Sequence, residues 1–184
     1  MGGEFGSVMK DLGAVDVRYA FLFPDVYEVG MSHLGMKILY HAINRMDGAW
    51  CERVFSPWVD MDAKMREAGV PLFSLESRTP VREFDLLGIT LQYEMCYTNI
   101  LSALDLAGIE ILASNRKSGP FVICGGPCAC NPEPLAPFVD AFAMGDGEEL
   151  TLKTIEVYRK WRDTGLPREK YLEMLAQLDG IYVP

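Results

Sequence analysis

Apolar positions in this chain fall into short continuous runs that alternate with stretches repeating every three or four residues. The run RYAFLF at 18–23, stopped by Pro24, predicts a short buried strand. From Met31 to Met46, Leu34, Ile38 and Ala42 together with Leu39, Ile43 and Met46 recur at helical spacing, while His33, Lys37, His41 and Asn44 form the opposite stripe. This pattern predicts an amphipathic helix opened by Ser32. A strand fragment at 53–56, a helix through MDAKMREAG closed by Gly69, a strand-like PLFSLES and the near-continuous apolar strand FDLLGITLQ follow. The helix TNILSALDLAG stops at Gly108, and FVIC and DAFAMG read as further strands. A long helix from about Glu148 to Trp161 ends at Gly165, Pro167 starts a last helix through Leu178, and the sequence closes on GIYVP.

Strands alternating with helices, and strands apolar on both faces, imply an α/β fold: a Rossmann-like doubly wound open sheet of about five mainly parallel strands flanked by helices. Length favours one domain over residues 1–184, with 1–17 as a leader and 166–184 as a C-terminal helix and the start of a linker. In such sheets ligands sit beyond the carboxyl ends of the strands, so the loops that leave the strands are where chemistry is expected.

Charge narrows the partners. Twenty-six acidic against 17 basic residues give a net charge of -9, which repels phosphate backbones and anionic headgroups, so neither nucleic acid nor a membrane is expected. No apolar run approaches the ~20 residues of a membrane span, and the first residues lack the pattern of a signal peptide, so a cytoplasmic location is expected. An odd cysteine count in such a chain predicts thiols rather than a disulfide framework.

The strand-exit loops are PDVYEVGMSHLG, TLQYEMCYTN, CGGPCACNPEPL and GDGEE. Their glycines would let main-chain amides approach a ligand, and the helix amino termini beside them would favour an anionic group; turn glycines alone account for any single pair. Cys124, Cys128 and Cys130 give CxxxCxC, one residue short of the CxxxCxxC that holds a radical S-adenosylmethionine cluster, and Cys124 ends an apolar strand as a packed thiol. His33 stands where a neutral imidazole would ligate a metal or cap a helix. Asp25, Glu28, Glu94, Asp146 and Glu148 share the rim without a spacing that commits any pair to acid-base work.

The segments FPDVYEVGMSHLGMKILYHAIN, ERVFSPWVDM, FSLESR, LQYEMCYTNIL, GGPCACNPEPL and GDGEE, with the leader GGEFGSVMKD and the closing DGIYVP, together resemble the amino-terminal, cobalamin-binding-like domain of a bacterial family of radical S-adenosylmethionine proteins. The resemblance implies cobalamin held at the carboxyl rim, beside a C-terminal barrel that carries an iron-sulfur cluster [4Fe-4S] and S-adenosylmethionine. That barrel would be the partner of this module in a longer enzyme performing methyl transfer or radical modification, and this stretch alone would not turn over. Against the cobalamin signature DxHxxG…SxL…GG, His33 takes the histidine place as an axial ligand of cobalt, Met31 replaces the aspartate, Gly35 is one place early, Thr90-Leu91-Gln92 stands for SxL, and Gly125-Gly126 match GG. The implied cofactor contacts are Tyr27, Met31, Ser32, His33, Thr90, Gln92, Tyr93, Gly125, Gly126, Pro127, Gly145 and Gly147. A degenerate module that has lost the cofactor and docks a partner through its rim is the alternative.

Overall fold

The computed structural model describes residues 3–184; the first two residues of the expected leader lie outside that range. A six-stranded sheet runs in the order β2-β1-β3-β4-β5-β6, with β1 Val17–Phe23, β2 Ala49–Phe55, β3 Leu86–Thr90, β4 Phe121–Gly125, β5 Ala141–Ala143 and β6 Ile181–Tyr182. The first five are mutually parallel, and β6, drawn from the closing GIYVP, adds antiparallel to β5 through Phe142↔Tyr182 and Ala143↔Ile181. The fold is α/β and Rossmann-like, as the alternation of runs implies.

Alternation along each strand divides the core between two faces. Ala20, Leu22, Val54, Leu87, Val122 and Cys124 pack on one face under α3 (Val59–Ala68) and α4 (Tyr97–Ala107). Val17, Tyr19, Phe21, Cys51, Leu86 and Ile123 pack on the other under α2 (Leu34–Asn44), α5 (Gly147–Arg162) and α6 (Arg168–Leu175). The short helix α1 (Tyr27–Gly30) lies in the loop that leaves β1. Helices α3 and α4 both end on left-handed glycines, Gly69 at φ 65° and Gly108 at φ 68°, as their sequences predict.

The structure corrects the expected reading of α2 in two ways. Its amino-terminal cap is His33, whose Nδ1 accepts the backbone N–H of Met36 at 3.2 Å, whereas Ser32 Oγ turns back to donate to the carbonyl of Val29. Its buried stripe is Met36, Tyr40 and Ile43, while Leu34 and Ile38 are exposed. The stripe is rotated because the leader crosses this helix: Tyr40 Oη accepts Val8 N–H at 2.7 Å, and Trp50 Nε1 donates to the carbonyl of Val8 at 3.1 Å.

PLFSLES is a loop rather than a strand, with one isolated bridge, Phe73↔Pro80. Buried charge on β2 holds it. Glu52 accepts Arg18 Nη2 at 2.5 Å, Ser74 Oγ at 2.7 Å and Ser77 N–H at 2.9 Å, and Arg53 pairs with Glu76 at 2.6 Å. Leu75 N–H then bonds the carbonyl of Arg53, so the loop covers the outer edge of the sheet, an edge that would otherwise invite pairing with another chain.

Candidate functional site

The chain runs from β1 outward to β2 and then crosses back to β3, so the direction of winding reverses between β1 and β3. At such a switch point the exit loops diverge and leave a crevice at the carboxyl ends. A cleft of about 280 Å³ occupies it, between α2 and α5. Its floor is Tyr19 and Phe21 of β1, Ile123 of β4 and Ala143 of β5. Gly35 and Leu39 of α2 form one wall, and Gly147, Thr151 and Thr154 of α5 the other.

Tyr19 lies on the floor because β3 carries glycine beside it: a Cβ on Gly88 would stand 1.9 Å from Tyr19 Oη. Burial pushes this phenol well above its ordinary pKa, so it stays neutral.

Of the residues implied as cofactor contacts, His33, Thr90, Gln92, Gly125, Gly126, Pro127, Gly145 and Gly147 line this cleft. Tyr27, Met31, Ser32 and Tyr93 do not. Tyr27 stacks edge-on to Phe55 with centroids 5.5 Å apart, and Met31 Sδ accepts from Arg53 Nη1 at 3.5 Å, which places both near the end of β2. Ser32 is exposed, and Tyr93 Oη donates to Asp25 Oδ2 at 2.6 Å, a bond that, with some burial, pushes its pKa up to about 12.

A chain of hydrogen bonds runs along the lining of the cleft. Because His33 Nδ1 accepts a backbone N–H, the neutral ring carries its hydrogen on Nε2, which donates to Gln92 Oε1 at 3.1 Å; Gln92 Nε2 in turn donates to Thr90 Oγ1 at 2.5 Å. Both imidazole nitrogens are therefore engaged. Among the described residues, no group of three or more His, Cys, Asp or Glu side chains is disposed to hold a metal ion. Cys124 is buried, and its thiol is pushed well up by burial, which suits packing and not thiolate chemistry.

The glycines serve different ends. Gly126 sits at φ 102°, and a Cβ there would come within 3.0 Å of the Leu91 carbonyl, so the turn against the exit of β3 requires glycine by itself. Gly145 is open, with nothing within 4 Å of a would-be Cβ, and Gly125 and Gly147 meet only ordinary contacts from 3.5 Å. These three leave bare main chain facing the cleft.

Charge modifies the expectation of an anion site. No lysine or arginine is among the residues that line the cleft, and Glu148 and Glu149 occupy the first turn of α5. Those carboxylates, of which Glu148 lines the cleft, offset the positive end of the helix, so the cleft disfavours a phosphate. The floor residues Tyr19 and Phe21 and the wall residue Leu39 escaped sequence reasoning because they look like any core position; only topology turns core into the lining of a cleft.

The family described as "Radical SAM proteins, N-terminal" matches residues 35–184. An uncharacterised protein of Methanocaldococcus jannaschii is 30% identical over 178 residues, covering 90% of this chain and 34% of the relative. The chain thus spans about a third of the length of the curated relative it matches. No solved structure matches significantly.

Proposed function

This chain belongs to the N-terminal family of radical SAM proteins, and we propose that it is the module with which such an enzyme holds cobalamin beside its radical-generating domain. The observation that carries the reading is the glycine-lined cleft, bordered by no lysine or arginine, at the β1/β3 switch point. At about 280 Å³ it falls just below the ~300–1,000 Å³ typical of small-molecule pockets, so it would take the flat heterocycle of the nucleotide tail and leave the macrocycle over the rim. Gly125, Gly145 and Gly147 would let that heterocycle approach the main chain, with Thr151 and Thr154 on the wall of α5. Gln92 and Thr90 would border the entrance.

When bound, cobalamin supplies a cobalt that carries a methyl group or joins in radical chemistry. The chain's own part is to bind, to orient and to exclude water from the underside. His33 fits a positioning role in this scheme, since ligating cobalt would require it to surrender either the α2 cap or Gln92.

The test is to add hydroxocobalamin to the purified chain and to the full-length parent and to record absorbance after gel filtration. A coloured protein peak is expected, and Gly125→Leu, which fills the cleft, should abolish the colour while circular dichroism stays unchanged. A colourless peak from both the chain and its parent overturns the reading.

A second reading has its own observation. Leu34, 69% exposed at the start of α2, and Met95, 85% exposed, and Met144 on the exit loops are apolar side chains in solvent, which suits docking of the remainder of a longer radical SAM protein. Substituting these three with serine should then weaken association with that remainder without touching corrinoid uptake.

A further inference from the structure

A second cavity, of about 330 Å³, opens at the carboxyl end of β2 between α1, α3 and the 70–80 loop, and it shares no lining residue with the cleft. Phe55, Met61, Met65 and Leu72 make it apolar inside, and Trp58, 65% exposed, stands at its lip.

Two polar groups that line this cavity are kept in states the fold alone does not favour. Arg78, at φ 60°, is the sole non-glycine with a positive φ among the described residues, and its side chain forms no ion pair or hydrogen bond there. Ser56 Oγ is buried without a hydrogen-bond partner. Glycine at 78 or alanine at 56 would remove either defect. A strained loop residue whose exposed, unpaired guanidinium lines an apolar cavity points to an acceptor group held there.

The charges define that ligand. Arg53, on the wall, is already engaged by Glu76 at 2.6 Å and Ser7 Oγ at 2.8 Å, and lies 4.5 Å over the Tyr40 ring, which leaves Arg78 as the available cation. Glu28 also lines the cavity and forms no ion pair, and Asp60 uses Oδ1 for the N–H of Met61 at 2.8 Å. A simple anion would meet two carboxylates and a simple cation a guanidinium; a zwitterion with an apolar body satisfies both signs.

We propose that this cavity binds an apolar α-amino acid. The carboxylate meets Arg78, the ammonium meets Glu28 and Asp60, and the side chain packs among Phe55, Met61 and Met65. This site stands apart from the corrinoid cleft and does not depend on it.

Isothermal titration of the chain with L-phenylalanine, hydrocinnamate and phenethylamine tests the proposal, since each analogue lacks one of the two charges. L-Phenylalanine is expected to bind, and each analogue to bind about tenfold more weakly or worse, as the loss of one charged hydrogen bond implies. Arg78→Gly should raise the urea midpoint, because glycine accepts the positive φ without strain, while weakening L-phenylalanine by a similar factor, because it removes the cation. Gly125→Leu should leave this binding unchanged. No heat from L-phenylalanine, equal binding of the analogues, or wild-type affinity in Arg78→Gly would each overturn the assignment.

Discussion

His33 and Gln92, which leave β1 and β3 on separate loops, are joined by a hydrogen bond of 3.1 Å across the point where the sheet reverses its winding. The same imidazole caps α2 through its other nitrogen, so one side chain ties the first exit loop to both the helix behind it and the strand beside it.

That double use predicts a graded response at position 33. His33→Ala should destabilise the fold by about 1 kcal/mol, the usual loss for an emptied helix cap, and His33→Asn, a good capping residue, should recover most of it. Urea denaturation of the two variants checks this. If cobalamin loads, His33→Asn should leave the cobalt spectrum unchanged; a spectral change would mean that the imidazole ligates the metal.

Tyr93 and Asp25 make a second tie across the same pair of loops, at 2.6 Å. The bond holds the Tyr93 phenol at about 12, against about 10 for an ordinary tyrosine. A folded-state pKa raised in this way contributes stability that is intact below about 10 and is lost as pH climbs through about 12. Because Tyr93 is partly exposed, solvent screening keeps the contribution small. NMR titration of labelled tyrosine should show its ring titrating late, and Asp25→Asn should bring it back toward the ordinary value.

Beneath the cleft, Gly88→Ala should be among the harsher single-atom changes in the core, since the added Cβ would overlap the buried ring of Tyr19. Overpacking of this kind costs about 1–3 kcal/mol and sometimes more. Tyr19→Leu in the same chain should return part of that loss, a coupling that a double-mutant cycle would measure.

At the opposite end of the sheet, Asp140 Oδ2 accepts Arg116 at 2.7 Å, Arg168 at 2.9 Å and the N–H of Val122 at 2.7 Å. Asp140→Ala would strand two arginines that the fold has buried or half-buried, and a loss of about 3–5 kcal/mol is expected. Chemical denaturation measures it. Arg168 belongs to α6, so this helix should be released first, which hydrogen exchange along 168–175 would report.

Much of the fold was legible in the residues. Gly69 and Gly108 mark their helix ends, because a left-handed residue there leaves glycine as the natural choice, and the runs around 18–23, 86–90 and 121–125 announce buried parallel strands through continuous apolar character. The glycine-rich exits and His33 also declared themselves as rim residues, since parallel strands carry all their exit loops to one end. PLFSLES misleads because its alternation imitates a strand, while the hydrogen bonds it makes are directed at Glu52 and Arg53 from elsewhere in the chain.

Local sequence thus determined which segments are strands and helices and which end of the sheet carries the loops, for these follow from periodicity and steric rules that act over a few residues. Tertiary structure alone decided that Leu34 faces solvent while Met36 is buried, that Tyr27 and Met31 belong to the β2 end and not to the central cleft, and that Arg78 meets Ser56 in one cavity. Those outcomes depend on which element packs against which, and the partners lie tens of residues apart, beyond the reach of any local pattern.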